Sequence, residues 1–233
     1  MLLSQPFGVK FAATEARAFT DLISGLTFSE TKPRYNLAPS QVSLVVIEHP
    51  DTHAVEVVSM KWGLVPHWSK GTKGGYVNAK SETAAVLPSF RDAFKYCRCL
   101  VATDGWHEWQ VTPRGKVPIF IHRVTADGEI APFFFAGLWA SWRDKTVPDA
   151  APLETFTVPT RDAAPTLAHI HPRMPVVLPQ DAYRAWLDSK LTDSVAVSKL
   201  LSAAVLDGFH TYPVSMRVNS PRNDDAEYVA VAP

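Results

Sequence analysis

The sequence predicts an α+β fold in which a curved, barrel-like β-sheet core carries flanking helices. Three observations lead there. The apolar runs are short and rich in β-branched and aromatic residues, which suit the pleated, half-buried surface of a sheet. Helical periodicity is confined to a few stretches set between and after those runs, the α+β pattern rather than regular α/β alternation. Nineteen prolines among 233 residues mark turns and strand edges and leave little room for long helices. A doubly wound sheet is not expected, because no glycine-rich strand-to-helix turn occurs.

Taken in order, Thr14 suits an N-cap, and Phe19, Leu22, Ile23 and Leu26 then recur on one helical face. Strands are expected over Val42 to Ile47 and Val55 to Met60, where β-branched residues dominate. Pro88 can open a helix that presents Phe90, Phe94 and Cys97. Further strands are expected over Ile119 to Val124, Phe133 to Leu138, Phe156 to Val158 and Met174 to Leu178. Pro179 introduces Tyr183, Trp186 and Leu187 at helical spacing. A last helix, Asp193 to Leu206, aligns Val197, Leu200, Leu201, Ala204 and Val205 behind an Asp cap.

The hydrophobic fraction of 46% and charged fraction of 20% allow a sizeable core and argue against general disorder. Twenty-three basic residues balance 23 acidic ones, so any nucleic-acid or anionic partner must rely on a local patch. Cys97 and Cys99 would share one face of an extended segment, too close along the chain for an ordinary bridge. Reduced, buried thiols fit a cytoplasmic protein. Residues 1–8 lack a basic signal-peptide n-region, and no run approaches the ~18 apolar residues of a membrane span. No linker or repeat divides the chain. One monomeric domain over residues 1–233 is expected, with residues 1–7 as a flexible leader.

Six segments mix large aromatics with Asn, Glu, His or Arg: Arg34 to Pro39, Trp62 to Trp68, Asn78 to Thr83, Asp104 to Trp109, Phe135 to Trp139 and His169 to Pro175. Such polar groups are costly to bury without partners, so their density suggests a lined cleft. In Gly105-Trp-His-Glu-Trp109 an extended chain puts Trp106 and Glu108 on one face. A carboxylate beside indoles is desolvated, which raises its pKa toward general acid/base use. A surface glutamate in a loop is the plainer alternative. His171 can exchange protons near neutrality, and Asn78 can hold a carbonyl or sugar oxygen. Each also has an ordinary structural reading, as a satisfied histidine and a turn cap. Trp62, Trp68, Trp106 and Trp109 could be stacking platforms for unpaired bases or buried core. Arg34, Lys61, Lys70, Lys73 and Lys80 could meet phosphates or line a solvated face. No HExxH or CxxC pair and no Gly-x-Ser-x-Gly elbow occurs, so neither a metal, a cofactor nor a serine nucleophile is expected.

Five of these segments, Arg34-Tyr-Asn-x-Ala-Pro, Trp62-Gly-x-Val-Pro-x-Trp, Asn78-Ala-x-x-Glu-Thr, Asp104-Gly-Trp-x-Glu-Trp and Ile170-His-x-Arg-Met-Pro, occur in this order. Together they resemble the SOS-response-associated peptidase (SRAP) family, the abasic-site DNA–protein crosslinkers. The resemblance runs from about Gly8 to about Asn219. It implies a β-barrel-like α+β domain with a groove for single-stranded DNA in the DNA damage response. Family members capture the ring-opened abasic sugar as a thiazolidine on a cysteine that follows the initiator methionine. Carried over, Asn78 orients the sugar, Glu108 serves as acid/base and His171 assists ring opening. Lys10, Arg34, Asn36, Pro39, Trp68, Lys80, Thr160 and Arg173 fall at DNA-binding positions.

Departures matter. The family's opening Met-Cys-Gly-Arg is absent; Gly8 stands where the cysteine belongs and Lys10 where the arginine belongs. Lys80 replaces an arginine and cannot make the bidentate phosphate contact. Pro172 replaces an acidic residue. No thiazolidine is therefore expected from the chain as written. Three readings stay open: a DNA-binding member that recognises abasic sites and forms at most a reversible link, a non-catalytic DNA-binding module, and a peptidase or other hydrolase using Glu108 and His171.

Overall fold

The computed structural model describes residues 8–11, 23, 34–49, 52–73, 75–205 and 207–225, with only the backbone given for residues 8–11. In sheet order, β10 (Phe133–Trp142), β6 (Arg98–Thr103), β3 (Val42–Glu48), β4 (Val55–Trp62) and β11 (Leu153–Asp162) lie side by side. A β10–β11 ladder then closes them into a five-stranded barrel. Every pairing in the barrel is antiparallel except β4–β11. Past the barrel, β11 continues between β5 (Asn78–Lys80), parallel to it, and β12 (Arg173–Pro175), antiparallel. A second sheet runs β13 (His210–Pro213), β8 (Gly115–Val124), β7 (Gly105–Thr112), β1 (Gly8–Phe11), β2 (Arg34–Leu37), with β9 (Ile130–Ala131) paired to β8. The barrel-like α+β expectation is met.

Continuous apolar runs, buried on both faces of their strands, explain the barrel. Val45, Val46, Leu100, Val101, Phe134, Phe135 and Phe156 are all buried, and Trp62 stacks on Phe156 at 6.2 Å between centroids. Each such burial stabilises by about 1.5–3 kcal/mol. Trp106 of β7 joins the sheets, its ring edge-on to Phe133 and Phe135 of β10 at 6.4 and 5.8 Å. The loop that leaves β4 folds back tightly: a Cβ on Gly75 would lie 2.3 Å from the Gly63 carbonyl oxygen, and Gly63 has φ +126°. Only glycine fits both positions.

Helices form at Ser81–Ala84, Arg91–Tyr96, Tyr183–Leu187 and Ser194–Ser202. Asp193 caps the last, accepting from Val195 N and Ala196 N, as its sequence signal indicates. The helix expected after Thr14 lies outside the described residues except for Ile23, which is buried. The strand expected over Met174 to Leu178 is shorter than its apolar run. After Pro175 the chain bends toward β10, with Ala136 N donating to Val176 O and Leu178 N to Phe134 O. No described helix is long and apolar enough to cross a membrane.

Candidate functional site

β7 supplies the centre. Its alternation sends Trp106 into the core between the sheets and His107 to the other face, against Phe120 at 5.1 Å. Glu108 follows Trp106's side, and the residue is only 5% exposed. Its Oε1 has no hydrogen-bond partner among the described residues. Burial alone pushes this carboxyl well above the ordinary glutamate range, as its aromatic setting suggests.

His171 approaches from the loop ahead of β12, with Nδ1 3.9 Å from Glu108 Oε1. That separation is too long for a hydrogen bond, and burial outweighs any ion-pair character of the contact. The same Nδ1 lies 3.1 Å from Arg173 N and 2.9 Å from Arg173 O. One backbone residue thus offers a donor to the bare nitrogen and an acceptor to the protonated one. His171 can therefore be held in either state, which a proton carrier requires.

Asn78 opens β5, level with Val158 of β11, and its buried Oδ1 has no partner among the described residues. Two residues on, Lys80 is exposed beside Thr160, whose hydroxyl donates to Ala79 O at 3.5 Å. On the other side of β11, Arg173 pairs with Asp162 in register. Its guanidinium makes two hydrogen bonds to Glu82 (2.6 and 2.9 Å), one to Asp162 (2.7 Å) and one to Thr160 O (2.6 Å). The Arg173 hydrogen bond in turn draws the Glu82 carboxyl below its ordinary range.

The remaining positions are spread around this centre. Gly8 lies opposite His107 in the β1–β7 ladder, one residue from Glu108 along β7, while the Lys10 side chain lies outside what is described. Trp68 is 50% exposed, its Nε1 donating to Pro88 O at 3.4 Å. It lines a cavity of about 240 Å³ with Pro66, Pro88, Tyr96 and Trp139. Pro39 occupies the turn after β2, half-buried. Arg34 and Asn36 bond to the segment after β13: Arg34 engages Asp224, and the Asn36 amide donates to Val218 O, Ser220 O and Asn223 O. Cys97 and Cys99 are free thiols, with burial raising Cys97 to about 11 and Cys99 well above its usual value.

The structure therefore brings Glu108 and His171 together, and groups Lys80, Thr160, Arg173 and Asn78 on three neighbouring strands. Sequence reasoning gave no role to Glu82, Asp162 or Asp224. Glu82 stood inside a quoted motif, while nothing local marks Asp162 or Asp224. Among the described residues no group of three or more His, Cys, Asp or Glu side chains is set to hold a metal ion.

Comparison with known proteins agrees with this architecture. The chain is 36% identical over 203 residues to the abasic site processing protein YoqW of Bacillus subtilis, covering 86% of this chain and 87% of that one. It is 33% identical over 197 residues to the abasic site processing protein YedK of Escherichia coli, covering 84% and 83%. Among solved structures, a Bacteroides thetaiotaomicron protein matches at TM-score 0.75 with 23% identity over 97% of this chain and 99% of that one, a likeness of fold. A phage-related protein of Bordetella bronchiseptica matches at TM-score 0.67 and 27% identity, covering 90% and 94%. Residues 10–221 match the family model described as SOS response associated peptidase, and the chain belongs to that family.

Proposed function

We propose that this protein recognises abasic sites in single-stranded DNA during the DNA damage response, without forming a thiazolidine. The observation that carries the reading is the buried Glu108 carboxyl, whose Oε1 has no hydrogen-bond partner among the described residues, 3.9 Å from His171 and one residue along β7 from the partner of residue 8. Relatives named abasic site processing proteins supply the substrate class.

A closed abasic sugar must open before its aldehyde can react. His171 takes the proton of the anomeric hydroxyl, the bond from C1 to the ring oxygen breaks, and protonated Glu108 gives its proton to that oxygen. Such paired proton transfers contribute about 10²–10⁴-fold each. Asn78 steadies the sugar oxygens, with Lys80, Thr160, Trp68, Pro39, Lys10 and Arg173 along the strand. Gly8 in place of the cysteine leaves no thiol to close a thiazolidine. If residues 1–7 are removed, the Gly8 α-amine can add to the aldehyde and lose water, giving a Schiff base.

The test compares binding of abasic and intact single strands by wild type, Glu108→Gln and Asn78→Ala, with borohydride trapping after verified removal of residues 1–7. Preferential binding of abasic strands, weakened in both variants, is expected. The salt slope should be shallow, near one or two phosphates at about 0.7 each. Equal affinity for intact and abasic strands refutes abasic recognition and leaves a plain binding module. Peptide or ester turnover lost in Glu108→Gln would instead mark a hydrolase.

A further inference from the structure

The segment from Ser215 to Asp225 is fastened to both neighbours of β1. In the second sheet β1 lies between β7 and β2, pairing Val9 with Trp106 on one side and with Leu37 on the other. On the β7 side, Trp109 Nε1 donates to Asn219 Oδ1 at 2.8 Å. On the β2 side, the Asn36 amide, only 3% exposed, donates to Val218 O, Ser220 O and Asn223 O at 3.0, 3.1 and 3.0 Å. The Asp224 carboxylate accepts from Tyr35 N (2.5 Å), Asn36 N (2.9 Å) and the Arg34 guanidinium. Arg34 is itself braced by Gln41 Oε1 at 2.7 Å. Val218 packs into a small cluster with Phe120, and Tyr35 and Trp109 rest against it. The segment is also tied to itself, Asn223 Nδ2 donating to Arg217 O at 2.9 Å.

Among the described residues β2 is the last strand of this sheet, and an edge strand leaves its outer backbone groups to be covered. Here the Asp224 carboxylate takes the backbone N–H groups of Tyr35 and Asn36, and a run of carbonyls takes the Asn36 side chain.

We propose that Ser215–Asp225 is a clasp that holds β1 in register between β7 and β2, with Asn36, Asn219 and Asp224 as its positioning residues. The clasp rests on the proposed function in one respect: what it positions is residue 8, opposite His107 and one residue from Glu108 along β7. Arg34 and Asn36 then act through the strand they anchor. Loosening the segment lets β1 slip or fray, and a one-residue slip would turn its side chains to the opposite faces.

Hydrogen exchange on the full chain decides it, with Asp224→Asn as the isosteric change and Asn219→Ala as the milder one. Amides of Val9, Lys10 and Phe11 should exchange about tenfold or more faster in Asp224→Asn, as expected for a lost charge-assisted bond set, while amides of β3 and β10 keep their rates. Asn219→Ala should give a smaller change confined to the same strand. Binding of abasic single strands, measured alongside, should weaken in step. Unchanged β1 exchange overturns the clasp, and so does an equal acceleration in every strand, which would mean general destabilisation. Should wild type fail to prefer abasic strands, the functional reading falls while the exchange result still decides the clasp.

Discussion

Replacing Glu108 with glutamine should change how stability depends on pH. The Glu108 residue is 5% exposed, its Oε1 has no hydrogen-bond partner among the described residues, and burial raises the carboxyl well above its ordinary value. In the unfolded chain it titrates near 4.3. Between that value and the higher folded one, the native state keeps its proton and the unfolded state has lost it. Stability is therefore fully present below about pH 4.3 and falls as pH rises through the window, by about 1.4 kcal/mol per pH unit. It levels off once the native carboxyl ionises. Glutamine carries no such proton, so Glu108→Gln should lack the slope. For a chain of 233 residues 1 kcal/mol moves Tm by roughly 2–4 °C, so the variant should gain about 3–5 °C on wild type per pH unit. Thermal unfolding at several values between about pH 5 and pH 7, in matched ionic strength, reads this directly. His171→Ala should keep the wild-type slope, because burial rather than the 3.9 Å neighbour sets the shift. Parallel curves for wild type and Glu108→Gln would show that the carboxyl is not desolvated, and its use as a general acid would go with them.

The thiols should resist alkylation in the native state near pH 8, since a group at about 11 is roughly one part in a thousand thiolate; modification should track unfolding. Gly105→Ala places a Cβ 2.5 Å from Ile121 O, so β7 must shift; a loss of about 1–3 kcal/mol is expected in denaturant titrations. Asp193→Ala removes bonds of 2.7 and 3.1 Å to the start of Ser194–Ser202 and should lower stability by about 1 kcal/mol, or roughly 2–4 °C in a melt.

Much of the barrel was legible because its strands announce themselves. β3, β4 and β10 are rich in β-branched or aromatic residues, the composition of a pleated, half-buried surface. β6 was not legible. It begins at Arg98, whose guanidinium is buried and donates to the carbonyls of Trp186, Phe94, Lys95 and Asp188, where pattern reading expects a basic residue to face water. At the site, the alternation Trp106, His107, Glu108 could be read from the sequence, as could the desolvation of the carboxyl. The partners of the cations could not. Glu82 lies 91 positions from Arg173, and Asp224 lies 190 from Arg34, so neither pairing leaves a local trace.

Those pairings also bear on how a protein with 23 acidic and 23 basic residues would hold a polyanion. Arg34 is engaged by Asp224, and Arg173 by Glu82 and Asp162. Each arginine therefore brings its positive charge already matched, and replacing those carboxylates with phosphate gains little net energy. Lys80, exposed and outside every ion pair among the described residues, is left to act as a point charge. With both arginines paired, counterion release from them should add little to affinity for a polyanion. On the proposed function, discrimination would come from what an abasic sugar offers and an intact nucleotide hides: a small, uncovered anomeric centre that Glu108 and His171, 3.9 Å apart, could both reach. On that reading, weak general attraction and a demanding centre together would favour the lesion over the strand that carries it.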